Sequence, residues 1–295
     1  MRVDIINSDP AAPEFNRREF LVTSIFAAGA FGTAVQSLQA QTVIKTDDKG
    51  LVAGEVKIPV ADGEIPAYRA MPDKKDKKFP VVLVVHEIFG VNEWVQDVCR
   101  RFARQGYMAI APALYARQGE IKNLKDPSEI LRTVYGKIPD TQSMSDLDAC
   151  AAWGAKNSGD AKKLSITGFC WGGRIVWLYS AHNPKIKAGA AWYGQLVNAP
   201  NATINPLQPT KAFDHVKELK VPVIGFYGGL DTGISQDNIN QMQAALDKGK
   251  TGSKINVYPK AMHGFFADYR TSYNKEAADD AWSKLLAWFK KNKAI

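Results

Sequence analysis

Residues 165–174 read SITGFCWGGR: an apolar run, glycine at 168, cysteine at 170, then glycines at 172 and 173 before a helix-like stretch. A strand that turns into a helix this abruptly leaves room only for small residues two places before and after its tip. The tip side chain is lifted above the sheet edge in strained geometry. A helix starting near Trp171 would point its amino end at the Cys170 sulfur and favour negative charge there. The same letters also suit a plain strand-to-helix turn, so the stretch by itself leaves open whether Cys170 is chemical or structural.

The surroundings repeat the strand-helix pattern. Strands are expected at 80–86, 107–112, 163–168, 188–193, 221–228 and 254–259, each apolar on what would be both faces, as a sheet covered by helices on two sides requires. Helices are expected at 93–105, 143–156, 172–182, 235–248 and 276–292. In the last of these Trp282, Leu285, Leu286 and Phe289 form one apolar stripe. This alternation predicts a doubly wound, mostly parallel α/β sheet. Two alternating segments around Asp62-Gly63 predict an antiparallel hairpin at one edge. The Pro- and Asn-rich segment 194–210 follows a parallel strand and is expected at the carboxyl edge, where such sheets bind ligands.

Two further residues bear on Cys170. Asp231 follows the strand VPVIGFYG and His263 follows KINVYP, which puts nucleophile, acid and histidine in the chain order of an α/β-hydrolase. His263 would take the thiol proton and Asp231 would orient the imidazole. Read singly, His263 could be a surface loop histidine and Asp231 a turn former. Of the other histidines, His86 comes too early in the chain, His182 ends a helix and His215 lies in an exposed helical segment; none forms a metal-ligand spacing, so neither a metal nor a cofactor is expected. In HEIFG the backbone N–H of Ile88, together with that of Trp171, would form the oxyanion hole. Glu87 then sits beside the thiol, where a carboxylate raises the energy of a thiolate; a carboxylate bonded to loop amides is the alternative.

HEIFGVNEW, ALYARQG, GFCWGG, YGGLDTGI and HGFFADYR, five separated and ordered stretches, together resemble the dienelactone hydrolase family (carboxymethylenebutenolidases) from about residue 50 onward. The resemblance implies a Cys170, Asp231, His263 triad and a Glu87 that holds the resting thiol and swings to take its proton when an anionic substrate arrives. It also implies that Arg117 and Arg270 receive the substrate carboxylate, with the spacing of Arg270 from His263 departing from the shortest family form. The implied activity is lactone or carboxylic ester hydrolysis through an acyl-enzyme, acting on a small, anionic molecule; separately from the resemblance, a monomer is expected. A broad carboxylesterase and a non-catalytic exported binding protein are the rival readings.

The amino terminus reads differently. NRREFL at 16–21 precedes an uncharged stretch broken by Gly29 and Gly32, the layout of a twin-arginine export leader handled by the matching export machinery. Cleavage before Gln41 would leave a single domain, 41–295, in the periplasm or outside the cell; an uncleaved amphipathic anchor is the alternative. Three cysteines cannot all pair, and Cys99 and Cys150 fall at apolar positions of helical patterns, so no disulfide framework is expected. The net charge of +8 comes from scattered lysines with one run, DKKDKK, at 73–78, and no nucleic-acid-binding motif accompanies it.

Overall fold

A computed structural model describes residues 43–121, 123–124, 126–198 and 201–295. The expected leader at 1–40 lies outside the described residues. Ten-residue strands β1 (Leu51–Val60) and β2 (Gly63–Pro72) form the expected hairpin, paired from Val60↔Gly63 to Leu51↔Pro72. They flank β3 (Phe79–Val85), β4 (Met108–Pro112), β5 (Gly159–Phe169), β6 (Ala188–Trp192), β7 (Val223–Gly228) and β8 (Lys254–Tyr258) in one sheet ordered β1-β2-β4-β3-β5-β6-β7-β8. β2 pairs antiparallel with both β1 and β4, and every later pairing is parallel.

Alternation in β3 shows why the apolar runs lack a polar face. Val81, Leu83 and Val85 point into one core while Val82 and Val84 point into the other. The first core is closed by α3 (Asp140–Lys156), α4 (Trp171–His182) and α5 (Gln236–Asp247). The second is closed by α1 (Glu93–Arg104) and α6 (Lys275–Lys291), the latter through Leu285, Trp288 and Phe289. Trp282 and Leu286 of the expected stripe are only partly buried. Cys99 and Cys150 are fully buried and free, as their positions predicted.

A short helix, α2 (Pro127–Thr133), was not expected. Asp126 caps it by accepting from the Ser128 N–H, and Pro127 opens its first turn, a start signal legible in the sequence. A 3-10 turn, Tyr135–Lys137, follows and is stitched to the 194–210 segment: Gln208 Nε2 donates to the carbonyls of Tyr135 and Ile138 (2.6 and 2.9 Å). At the other end, residues 43–49 form a strap. The Thr46 N–H donates to Asp97 (2.5 Å), its carbonyl accepts from Arg100 Nε (2.8 Å), and the Ile44 N–H reaches Asp268 (3.4 Å). Arg101 bridges the two buried carboxylates, Asp97 at 2.6 Å and Asp268 at 2.5 Å. No described helix is long and apolar enough to cross a membrane.

Candidate active site

β5 ends at Phe169 and α4 begins at Trp171, so Cys170 alone makes the turn. Its backbone lies at φ 54° and ψ −114°, a conformation that costs a non-glycine residue about 1–3 kcal/mol and persists only where the surroundings over-determine it. They do so here. The Cys170 N–H donates to the Trp192 carbonyl (3.0 Å), and the Cys170 carbonyl accepts from the N–H groups of Gly173 and Arg174 (3.0 and 3.3 Å). Crowding dictates the flanking glycines: a Cβ on Gly168 would strike the Gly172 carbonyl, and one on Gly172 would strike the carbonyls of Val85 and His86. The head of α4 therefore packs directly on the end of β3.

The loops after β7 and β8 deliver the partners. They are knit together by the Leu230 N–H donating to the Ala261 carbonyl (2.9 Å). His263 Nδ1 lies 2.7 Å from Asp231 Oδ2, both side chains being at most 1% exposed. The Gly233 N–H holds the other Asp231 oxygen (2.8 Å). Cys170 stands within hydrogen-bonding reach of His263. Burial alone would disfavour a charged imidazole; the Asp231 carboxylate, then the Cys170 sulfur, outweigh it and raise the His263 pKa to about 10. Tyr193 packs edge-on against the His263 ring, centroids 5.0 Å apart.

Glu87 and Arg270 meet at the same place, though not as the sequence suggested. Glu87 Oε2 accepts from the Tyr269 hydroxyl (2.5 Å) and Arg270 Nη2 (3.0 Å), where a contact with the Cys170 thiol was expected. A charged guanidinium is the stronger partner for a carboxylate oxygen, and it takes Oε2, while Glu87 Oε1 is buried with no hydrogen-bond partner among the described residues. Arg270 is fully buried between the rings of Phe89 and Tyr269, 5.2 and 5.7 Å from their centroids. Its Nη1 has no hydrogen-bond partner among the described residues. Arg117, by contrast, is engaged elsewhere, pairing with Asp62 of the hairpin turn and with Asp146 of α3.

Ile88, fully buried, follows β3 on the loop that faces the α4 head, and Trp171 opens α4. Sequence reasoning passed over four residues here: Tyr269 bonded to Glu87 and Arg270, Tyr193 against His263, and His86 and Tyr135 under the Ile88 loop. Tyr269 stands next to Arg270 in ADYR and Tyr193 at the tip of an expected strand, so position alone could have flagged both. No cluster of three or more His, Cys, Asp or Glu suited to a metal occurs among the described residues.

Comparison with known proteins agrees with this fold. The family model described as "Dienelactone hydrolase family" matches residues 65–293. A Methylorubrum extorquens protein named "Putative carboxymethylenebutenolidase" is 52% identical over 288 residues, covering 97% of this chain and 96% of its own. An Escherichia coli K12 protein of the same name is 46% identical over 251 residues, covering 85% and 91%. The crystal structure described as a "Putative Dienelactone Hydrolase" from Klebsiella pneumoniae superposes with a TM-score of 0.78 at 48% identity, covering 81% of this chain and 98% of that one. Brefeldin A esterase, at 13% identity and a TM-score of 0.63, shares the fold alone. The sheet order, the turn at Cys170 and these likenesses make the protein a hydrolase of the α/β-hydrolase fold that belongs to the dienelactone hydrolase family.

Proposed function

We propose that the protein hydrolyses a lactone or carboxylic ester through an acyl-enzyme on Cys170. The observation that carries this reading is the strained Cys170 turn facing a His263 that is bonded to Asp231. In the first half, His263 takes the Cys170 thiol proton as sulfur attacks the carbonyl carbon and a C–S bond forms. The charge on oxygen is met by the N–H groups of Ile88 and Trp171; the C–O bond then breaks and the leaving oxygen takes the proton from His263. In the second half His263 accepts a proton from water, the hydroxide adds to the thioester and the C–S bond breaks, returning the sulfur. Asp231 holds the ring orientation throughout and stabilises its cationic form.

An anionic substrate fits the charge at the site. Arg270 Nη1, buried beside Cys170 and without a described partner, supports a carboxylate-bearing lactone as the preferred class. Arg117 would reach the same carboxylate only by leaving Asp62 and Asp146. The Glu87 relay belongs to the same proposal as an alternative route for the thiol proton to the leaving oxygen, through Glu87 Oε1, which is buried without a hydrogen-bond partner among the described residues. For the precursor we propose twin-arginine export and cleavage before Gln41. Amino-terminal sequencing of the exported chain, alongside an Arg17→Lys/Arg18→Lys variant that should stay in the cytoplasm, tests this.

The decisive experiment measures turnover of a carboxylate-bearing lactone and of 4-nitrophenyl acetate by wild type and Cys170→Ala. Loss of both activities is expected, with a thioester adduct of wild type trapped on Cys170 by acid quench and mass spectrometry. Wild-type turnover by Cys170→Ala overturns the nucleophile assignment. Equal catalytic efficiency on the two substrates would favour a broad carboxylesterase.

A further inference from the structure

Glu87 is held at both ends. Its side chain is bonded by Tyr269 and Arg270, while its main-chain carbonyl accepts from His86 Nδ1 at 2.8 Å, from the Tyr135 hydroxyl at 3.0 Å and, more loosely, from the Gly90 N–H at 3.2 Å. His86 and Tyr135 are essentially fully buried, and they come from elements 49 positions apart. A carbonyl oxygen can only accept, so Nδ1 of His86 carries the hydrogen and the neutral ring is the Nδ1–H tautomer. Burial favours that neutral state by driving the His86 pKa down to about 4.

The carbonyl of Glu87 and the N–H of Ile88 belong to one planar trans peptide, so they point in opposite directions and turn together. Two strong donors on the oxygen fix where the N–H is aimed and polarise it as a donor. The same two rings also enclose Trp171, whose own N–H would be the other oxyanion donor. His86 is stacked on the indole at 5.6 Å with a 13° interplanar angle, and Tyr135 meets it edge-on at 4.9 Å.

We infer that His86 and Tyr135 are positioning residues for the oxyanion hole, orienting the Glu87–Ile88 peptide through its carbonyl and seating Trp171 against it. The inference rests on the proposed acyl-enzyme reading, since it needs a charged oxygen to bind. It accounts for two buried polar side chains whose hydrogen bonds go to the Glu87 carbonyl and to each other. Losing an oxyanion donor outright lowers kcat by about 100- to 1000-fold in well-studied hydrolases. Weakening one of two anchors on the donor peptide should cost less, about tenfold.

The test pairs kinetics on 4-nitrophenyl acetate with the inhibition constant of a phenyl trifluoromethyl ketone, whose hemithioketal with Cys170 places an oxyanion in the hole. Tyr135→Phe and His86→Leu should lower kcat and ketone affinity in parallel by about tenfold, with KM within about twofold and the melting temperature of Tyr135→Phe close to wild type. His86→Asn, which restores an N–H near the Nδ1 place, should recover most of the loss. Unchanged ketone affinity in both Tyr135→Phe and His86→Leu, or a fall in kcat without a matching fall in affinity, overturns the inference, as does a His86→Asn no better than His86→Leu. Failure of the underlying reading looks different: Cys170→Ala would then still turn over ester or still bind the ketone tightly.

Discussion

Arg270 Nη2 lies 3.0 Å from Glu87 Oε2 with each side chain 1% exposed. Removing one member of such a pair strands a charge in the interior, so Arg270→Leu should lower the unfolding free energy by about 3–5 kcal/mol. The double variant Glu87→Leu/Arg270→Leu should recover most of that loss. Urea unfolding followed by circular dichroism distinguishes the two, and a single variant as stable as wild type would show that the pair holds nothing.

Asp231 supplies both the hydrogen bond to Nδ1 and the main charge that raises His263. Asp231→Asn should keep the fold and lower kcat by about 10³ to 10⁴, the size of loss seen when a triad carboxylate is made neutral. Proton NMR of the imidazole should show the His263 pKa falling from its raised value in the same variant. A retained high value would mean that Asp231 is not its cause.

Acid should destabilise the protein through His86. Its folded pKa, about 4, lies below the ordinary histidine value of 6.5. Between those limits the unfolded chain binds a proton that the folded chain refuses. Stability is therefore full above pH about 6.5 and declines as pH falls toward 4, by about 3 kcal/mol from this one group. Urea titrations at pH 7 and pH 4.5 should show a smaller drop for His86→Asn than for wild type.

Gly172 permits the contact between the α4 head and the carbonyls of Val85 and His86. In Gly172→Ala a Cβ meets backbone rather than a yielding side chain, so stability should fall by about 1–3 kcal/mol and hydrolysis should fall further. Comparing residual kcat with the melting temperature separates the displaced oxyanion donors from general loosening.

Arg117→Ala leaves Asp146, 2% exposed at its side chain, without its guanidinium. The expected outcome is a loss of about 1–3 kcal/mol of stability with KM for a neutral ester unchanged. A many-fold rise in KM for a carboxylate-bearing lactone alone would instead show Arg117 turning to substrate.

What was legible in the sequence was what the chain carries locally. Cys170, Asp231 and His263 each follow an apolar strand directly, and parallel strands deliver such residues to one edge, so their order was enough to bring them together. The partners of Glu87 were not legible, because Tyr269 and Arg270 lie 182 and 183 positions away in the chain. Arg117 illustrates the same limit: its motif says nothing of Asp62 and Asp146, which the hairpin and α3 bring to it. His86 and Tyr135 escaped because one looked like the end of a strand and the other stood in a region with no periodic pattern. Their role exists only as a shared hydrogen bond on a third residue.

The strap at residues 43–49 matters for how the protein is produced and altered. Through Asp268 and Arg101 it reaches the stretch between Phe265 and Tyr273, which also carries Tyr269 and Arg270. A chain trimmed back to Leu51 for convenience of expression would keep every strand and the whole triad. It would nonetheless release Asp97 and Asp268 from their backbone donors and loosen the wall that grips Glu87. Fusion tags and deletions are therefore best placed ahead of Val43, because the working boundary of this hydrolase begins before its first strand.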